Sequence, residues 1–369
     1  MTSAEALDRL RLARTDGVGP VTYRRLLRRF ATAAEAIDAL PGLARAGGGK
    51  APPPTPPIAA AKREMDQLAK LKGRMVFLDG PGYPPALAGF DPAPPLLSVI
   101  GNAALLLDRA VALVGARNAS VNGQRMAELL AADLALAGLV VVSGMARGID
   151  AAAHEGALRT GRTIAAVAGG VDVAYPPENA DLQRRVAEGG AIVAEAPLGT
   201  APHARHFPRR NRVIAGLSLG VVVIEAAPRS GSLITAQIAL DEGRAVFAVP
   251  GSPLDPRCRG SNNLLREGAT LTESAADVMG NLPQQVTPPP PLPLGFAEDG
   301  PVYDVPLDMA AVVARVVALL SASPTPVDDL VRRCQLSVHA VQGALMALEL
   351  NHRVQMLPGN QVSLIAKLP

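Results

Sequence analysis

The hydrophobic and polar positions of this chain change period along its length. Over the first 45 residues apolar positions recur at helical spacing, which predicts short helices over Ala4–Arg14, Val21–Phe30 and Ala33–Ala39. A helical stretch over Ile58–Leu71 leads to Met75–Leu78 and to further apolar runs flanked by prolines, read as irregular lead-in strands. From Arg109 to about Gly280 short continuous apolar runs alternate with alanine-rich helical segments. The runs are Val111–Val114, Val140–Val142, Thr163–Val167, Ala191–Ala194, Val221–Ile224 and Ala245–Val249. Strands apolar on both faces and separated by helices predict an α/β, Rossmann-like domain with a mostly parallel, doubly covered sheet. A ligand of such a sheet belongs at the carboxyl ends of the strands.

Near the C-terminus the pattern predicts helices over Met309–Leu320, Val327–Cys334 and Ser337–Leu350. Arg353–Leu357, a turn at Pro358-Gly359-Asn360, and Gln361–Ile365 then form a hairpin, which completes a winged-helix pattern. Its third helix places Val338, Val341, Leu345 and Leu348 on one face and offers His339 and Gln342 outward, with no cation. A recognition helix without cations reads a DNA groove poorly, so a protein-contact or scaffolding role is expected. GGGKAPPPTPP, residues 47–57, and the proline-rich segment 281–308 read as linkers. The expected order is a SAM/helix-hairpin-helix-like helical domain with linker over 1–60, the sheet domain over 61–280, the linker, and a winged helix over 309–369.

Composition narrows this only a little. At 369 residues with 49 % hydrophobic and 19 % charged positions the chain is globular in character. A net charge of +3 permits nucleic-acid binding without arguing for it. Residues 109–280 hold 17 Arg, no Lys and 16 acids, so any anion site there is local. The cysteines, Cys258 and Cys334, form neither a metal-ligand spacing nor a disulfide framework, which suits a reducing compartment. MTSAEALDRLRLART lacks an apolar signal core, and no apolar run approaches the roughly 20 residues of a membrane span. A soluble, cytoplasmic protein is expected. The DGVGP turn, Asp16–Pro20, resembles a helix-hairpin-helix whose amides can grip a phosphate backbone. Seven arginines face three acids over residues 1–30, which agrees. A packing module with a solvated basic face is the reading favoured for this one turn.

The chemistry concentrates in residues 207–240, FPRRNRVIAGLSLGVVVIEAAPRSGSLITAQIAL. An apolar strand, a small-residue turn and the start of a helix at Ser230, Gly231, Ser232 and Thr235 aim amides and hydroxyls at an anion. Arg205, Arg209, Arg210 and Arg212 crowd into eight residues around Phe207. Guanidiniums can hold phosphates while a base stacks on the ring. The competing reading has Phe207 plugging the core and some arginines bridging to Glu195 or Glu225. The binding reading is preferred, because four arginines exceed what core bridging needs. The first strand leads to VGARNASVNG, where Arg117 and Ser120 cap the next helix or face an anion; the glycines of a dinucleotide fingerprint are missing. The second strand leads to SGMARGID, where Gly144 and Gly148 let the backbone curl into a nest and Ser143 and Arg147 add a hydroxyl and a cation. Asp150 and His154, four apart, could pair as base and orienter, but a dipole-complementing Asp and a packed His are the expected roles. AGGVDVAYPPEN, 168–179, reads as close loop packing. No nucleophile, metal cluster or acid–base carboxylate pair stands out, which counts against an enzyme; neither cofactor nor metal is expected.

VGARNAS, SGMARGIDAAAH, FPRRNRVIAGLS, EAAPRSGSLITA and VPGS…GSNNLLREGA, in this order and spacing, resemble the DNA-processing protein A family. The resemblance implies a recombination mediator and not a catalyst. Such a protein binds and protects incoming single-stranded DNA and loads the RecA recombinase during natural transformation. By motif match it implies a DNA groove lined by Arg117, Ser143, Arg147, Gly148, Arg205, Phe207, Arg209, Arg210, Arg212, Ser230, Gly231, Ser232 and Thr235. It further implies a homodimer with Leu264 and Leu265 as contacts. The rival reading is a phosphoribohydrolase-like nucleotide-processing enzyme on a similar sheet, whose PGGxGT-type loop SGSLITA does not reproduce. An adaptor whose end domains recruit partners is the third.

Overall fold

The computed structural model describes residues 1–46, 54–90, 92–284, 309–321, 323–357 and 360–365. Most of both linkers, the hairpin turn at 358–359 and the side chain of His339 lie outside the described residues. The chain divides into two compact units, Met1–Arg63 with Pro290–Pro369, and Glu64–Pro289. Helices α1 (Ser3–Ala13), α2 (Pro20–Arg29), α3 (Ala33–Ala46) and α4 (Ile58–Lys70) come first. The lead-in follows as β1 (Arg74–Phe77), α5 (Pro85–Ala88) and β2 (Leu96–Gly101). Then come β3 (Ala110–Val114), α6 (Val121–Leu136), β4 (Val140–Ser143), α7 (Ile149–Ala157), β5 (Thr163–Ala166), α8 (Ala180–Gly189) and β6 (Ala191–Ala194). The second half of the sheet is α9 (His206–Leu217), β7 (Gly220–Val223), α10 (Gly231–Asp241), β8 (Ala245–Ala248), α11 (Arg259–Arg266), β9 (Thr270–Leu271) and α12 (Ala275–Asn281). The end segment holds α13 (Met309–Leu319), β10 (Thr325–Pro326), α14 (Val327–Cys334), α15 (Val338–Leu350), β11 (Val354–Leu357) and β12 (Gln361–Leu364).

The large sheet runs β1-β2-β6-β5-β4-β3-β7-β8-β9, parallel from β6 to β9. The six predicted strands are its six longest parallel members. Their apolar runs are continuous because side chains alternate between two buried layers. Ala110, Ala112 and Val114 enter one layer with Val142, Val223 and Ile214. Val111 and Leu113 enter the other with Val141, Val222, Leu130 and Ala153. The lead-in is more regular than the prolines suggest. β2 pairs antiparallel with β6 and β1 with β2, so the sheet is mixed at that edge. From β3 the chain fills β4, β5 and β6 to one side and β7 and β8 to the other. The crevice between the carboxyl ends of β3 and β7 is therefore the topological switch point, where ligands of open α/β sheets sit.

In the other unit, β10-β12-β11 forms the three-stranded wing sheet and α15 is the central helix. Val341, Leu345 and Leu348 pack with Val312, Val316 and Leu330 of α13 and α14. Met346 and Leu350, on the opposite side, join Leu12, Tyr23, Leu26 and Leu40. The Thr22 hydroxyl donates to the Glu349 carboxylate, and Asn351 Nδ2 donates to the Ala44 carbonyl at 2.9 Å. The first and last segments thus share one core, and α15 is sealed on two faces. Val338 departs from the expected apolar face: it starts the helix and projects beyond the core, exposed. Among the described residues no helix is long and apolar enough to cross a membrane.

The sheet unit buries one imidazole. His154 on α7 is fully enclosed, with Nδ1 2.8 Å from the Thr163 hydroxyl, whose own proton goes to the Val141 carbonyl. Burial first, and the Arg210 guanidinium second, lower its pKa to about 3. Below pH ~6.5 the unfolded chain binds a proton that the folded chain refuses, so stability is full above that pH and falls as pH drops toward 3. The expected slope from this residue is about 1.4 kcal/mol per pH unit. Urea titrations followed by circular dichroism between pH 7.5 and 5 check it: His154→Met should lose less stability on acidification than the parent, and identical profiles would contradict the assignment.

Candidate nucleic-acid interface

At the switch point a cleft of about 570 Å³ opens, room enough for a nucleotide-sized group. Its floor and walls come from the turn after β3, the turn after β7 with the first turn of α10, and the inner face of α9. The N-terminus of α10 ends there and supplies partial positive charge. Arg117, Arg210, Arg229 and Arg257 line the cleft, against one lining carboxylate, Asp150. Arg257 is bound to Asp255 at 2.7 Å, while Arg117 and Arg229 are exposed with no carboxylate at ion-pair distance among the described residues. Arg229 sits at φ 65°, a left-handed conformation that costs an ordinary residue energy and puts its side chain at the rim of the turn.

Arg210 holds this arrangement together. α9 turns it inward, and at 8 % exposure it is a core residue. Its Nη1 donates to the Gly144 carbonyl and lies 3.8 Å from Asp150 Oδ2. Burial raises the Asp150 pKa, and Arg210 with the Ala146 and Gly144 amides opposes that rise. Burial likewise lowers the Arg210 pKa, opposed by Asp150. A Cβ on Gly144 would fall 1.5 Å from Arg210 Nη1, so glycine here makes room for the guanidinium. The preceding turn is strained to suit: Met145 is buried at φ 59°, its carbonyl held by Asn179 Nδ2 at 2.9 Å, and Gly148 follows at φ 74°. Above Arg210 lies the Phe207 ring, with the Arg210 Cζ 5.6 Å and the exposed Arg117 Cζ 5.2 Å from its centre. Both contacts are of cation–π length. Phe207 is half-buried at the cleft wall and plugs no core.

The hydroxyls divide into two groups. Ser230 caps α10 and shares a 2.6 Å hydrogen bond with the Ser232 hydroxyl; both line the cleft with Gly231 and Thr235. Ser120 and Ser143 are spent internally. Ser143 is fully buried and donates to the Leu113 carbonyl at 2.6 Å. Ser120 caps α6, and both its amide and its hydroxyl donate to Glu225, a buried carboxylate at the end of β7. The expected hydroxyl contact at these two positions is therefore replaced by structural hydrogen bonds. Glu225 as the brace of the first turn, and Asp150 as the counter-charge of Arg210, are roles that sequence spacing did not reveal.

The remaining arginines follow the helical period of α9. Arg209 is exposed, Arg205 is exposed beside His206 at 3.4 Å, and Arg212 is half-buried 3.9 Å from Glu195, the bridging role weighed for it. None of these three lines the cleft. Arg147 is exposed on the α7 side and meets Glu178 at 3.5 Å. Asp150 and His154 do not pair; each has its own partner. Leu264 does not serve as an exposed contact: at 8 % exposure it packs in the sheet core, and Leu265 is half-buried against the same core.

Arg210→Met leaves Asp150 buried without its counter-charge, which is expected to cost about 3–5 kcal/mol. Arg210→Met with Asp150→Asn should recover most of that loss in urea denaturation. Equal losses in single and double variants would show that the two side chains are not coupled.

Comparison with known proteins agrees with this architecture. Residues 74–283 match the family profile described as DNA recombination-mediator protein A. Residues 3–66 match a DprA-like N-terminal HHH domain, and residues 303–360 a DprA winged helix domain. The chain is 38 % identical to Protein Smf of Escherichia coli over 292 residues, 79 % of this chain and 77 % of that one. It is 46 % identical to the DNA processing protein DprA of Streptococcus pneumoniae over 198 residues, 53 % of this chain and 70 % of that one. The X-ray structure of the Streptococcus pneumoniae protein superposes with a TM-score of 0.64 at 35 % identity, covering 77 % of this chain and 99 % of that one. DNA processing protein A of Helicobacter pylori, in a structure that describes its single-stranded DNA binding mode, superposes with a TM-score of 0.52 at 28 % identity, covering 57 % and 94 %. With more than half of its length matched by one family profile and its sheet built to the same plan, the chain belongs to the DNA recombination-mediator protein A family.

Proposed function

We propose that this protein binds single-stranded DNA across the switch-point cleft and acts as a recombination mediator, protecting the strand and delivering it to RecA. The observation that carries the reading is Phe207, half-exposed between Arg117 and Arg210 beside the first turn of α10. A phosphate fits against the α10 turn and Arg117, and a base beside the ring, a pairing that suits any sequence. The local character of this charge, on a sheet domain whose cations and acids nearly balance, favours a flexible strand over a duplex. The sealed α15 removes the obvious groove reader. Binding is favoured over nucleotide hydrolysis because the acids at the cleft are committed, Asp150 to Arg210, Asp255 to Arg257 and Glu225 to Ser120. A second copy on the α11 face would meet Leu265 and the exposed Arg266 rather than Leu264, and a dimer would raise avidity along one strand.

Fluorescence anisotropy of the full chain with labelled single-stranded and duplex oligonucleotides, across a salt series, tests this. The single strand should bind more tightly. Arg117→Ala should weaken it and lower the slope of log affinity against log salt by about 0.7, one phosphate contact on a single strand. Phe207→Ala should weaken binding with little change in slope. Equal weak binding to both nucleic acids, unmoved by either substitution, would overturn the assignment.

A further inference from the structure

The chain is poor in aromatic residues, 3 % of its positions, and has four tyrosines. Tyr23 is fully buried, and Tyr83 is buried with its hydroxyl on the Pro94 carbonyl at 2.7 Å. Tyr175 differs. At 43 % exposure it is the one aromatic among the exposed large apolar side chains of the described residues. Its hydroxyl makes no hydrogen bond among the described residues, so no polar partner fixes its place. Its ring lies 6.0 Å from Phe207 at a 59° tilt, next to that cleft-lining ring but not itself part of the lining.

The loop that carries Tyr175 is anchored on both sides. Asn179 Nδ2 donates to the Met145 carbonyl at 2.9 Å, Glu178 meets Arg147 at 3.5 Å, and the Gly170 amide donates to the Thr200 carbonyl at 3.0 Å. A rigid loop thus holds an exposed ring beside a ring already faced by two guanidiniums. Phe207 has part of its surface occupied by these cations, whereas Tyr175 is open to the outside. Successive aromatic rings along a cationic path are what a nucleic-acid strand uses to stack successive bases, independent of sequence. An aromatic body with a wet polar end is suited to that position.

We propose that Tyr175 is a second base-stacking platform, which carries the bound strand out of the cleft past Phe207 toward Arg147. The proposal rests on the single-stranded DNA reading above and extends it by at least one nucleotide along the strand. It assigns function to a loop whose sequence reads as close packing alone.

The test uses the full chain and anisotropy with an oligothymidine and with an oligomer of the same length made of abasic units. Tyr175→Ala should weaken oligothymidine binding about 5- to 160-fold, the range for losing one stacked base. Tyr175→Phe should retain binding, and Tyr175→Leu should not restore it. The salt slope should stay that of the parent, because no phosphate contact is lost. On the abasic oligomer the parent and Tyr175→Ala should bind alike. Unchanged oligothymidine affinity in Tyr175→Ala, or an equal loss on both oligomers, would overturn the proposal. Its failure stays distinct from failure of the cleft reading: if Arg117→Ala still lowers the salt slope while Tyr175→Ala does nothing, the cleft stands and the platform falls.

Discussion

A guanidinium buried between α9 and the β4–α7 turn fixes the geometry on which the cleft depends. Arg210 cannot be solvated where it lies, so Asp150 and the Gly144 carbonyl must meet it, and Gly144 must lack a side chain. That requirement draws the strained Met145 turn toward α9 and leaves Phe207 standing on the guanidinium. Buried ion pairs are poor sources of net stability, since desolvation offsets most of the attraction. Here the pair ties the β4–α7 turn to α9, which carries Phe207 on the cleft wall. The ring's position, and through it that of Arg117, follows from this tie.

The remaining polar groups show the same economy of roles. Glu225 is held under the first turn by the Ser120 amide and hydroxyl, so a carboxylate at the switch point braces the loop that presents Arg117. Neutralised inside and cationic at the rim, the cleft keeps its acids from repelling a phosphate while Arg117 and Arg229 remain open. The other unit uses polar contacts to join its two segments. Thr22 to Glu349 and Asn351 to Ala44 fasten the last helix of the winged segment to the first helices of the chain.

Much of the sheet was legible in the sequence because burial on both faces leaves only one solution for a four-residue apolar run between helices. Val140–Val142 and Ala191–Ala194 could not be amphipathic strands, and they are not. The antiparallel edge was harder to read, because β1 and β2 are flanked by prolines and β2 takes its inner partner, β6, from nearly a hundred residues on. The motif residues could be named, but their division of labour could not be read. A serine at a strand end has the same local signature whether its proton goes to a ligand or to a neighbouring carbonyl, as Ser143 shows. The period of α9 separates Arg210, turned inward, from Arg209, turned out, only once the helix start is known. For α15 the signal was present: Met346 and Leu350 oppose Val341 and Leu345, and a helix apolar all round is a buried one.

The most direct test of the central claim, that a single strand crosses the cleft wall at its aromatic residues, is photochemical crosslinking. Oligothymidine carrying 5-iodouracil would be irradiated with the full chain and the adducts mapped by mass spectrometry of the digested protein. Adducts are expected on Phe207 or Tyr175, suppressed by unlabelled single strand and not by duplex. Adducts confined to the helical and winged segments, with none between residues 115 and 235, would place the strand elsewhere and contradict it.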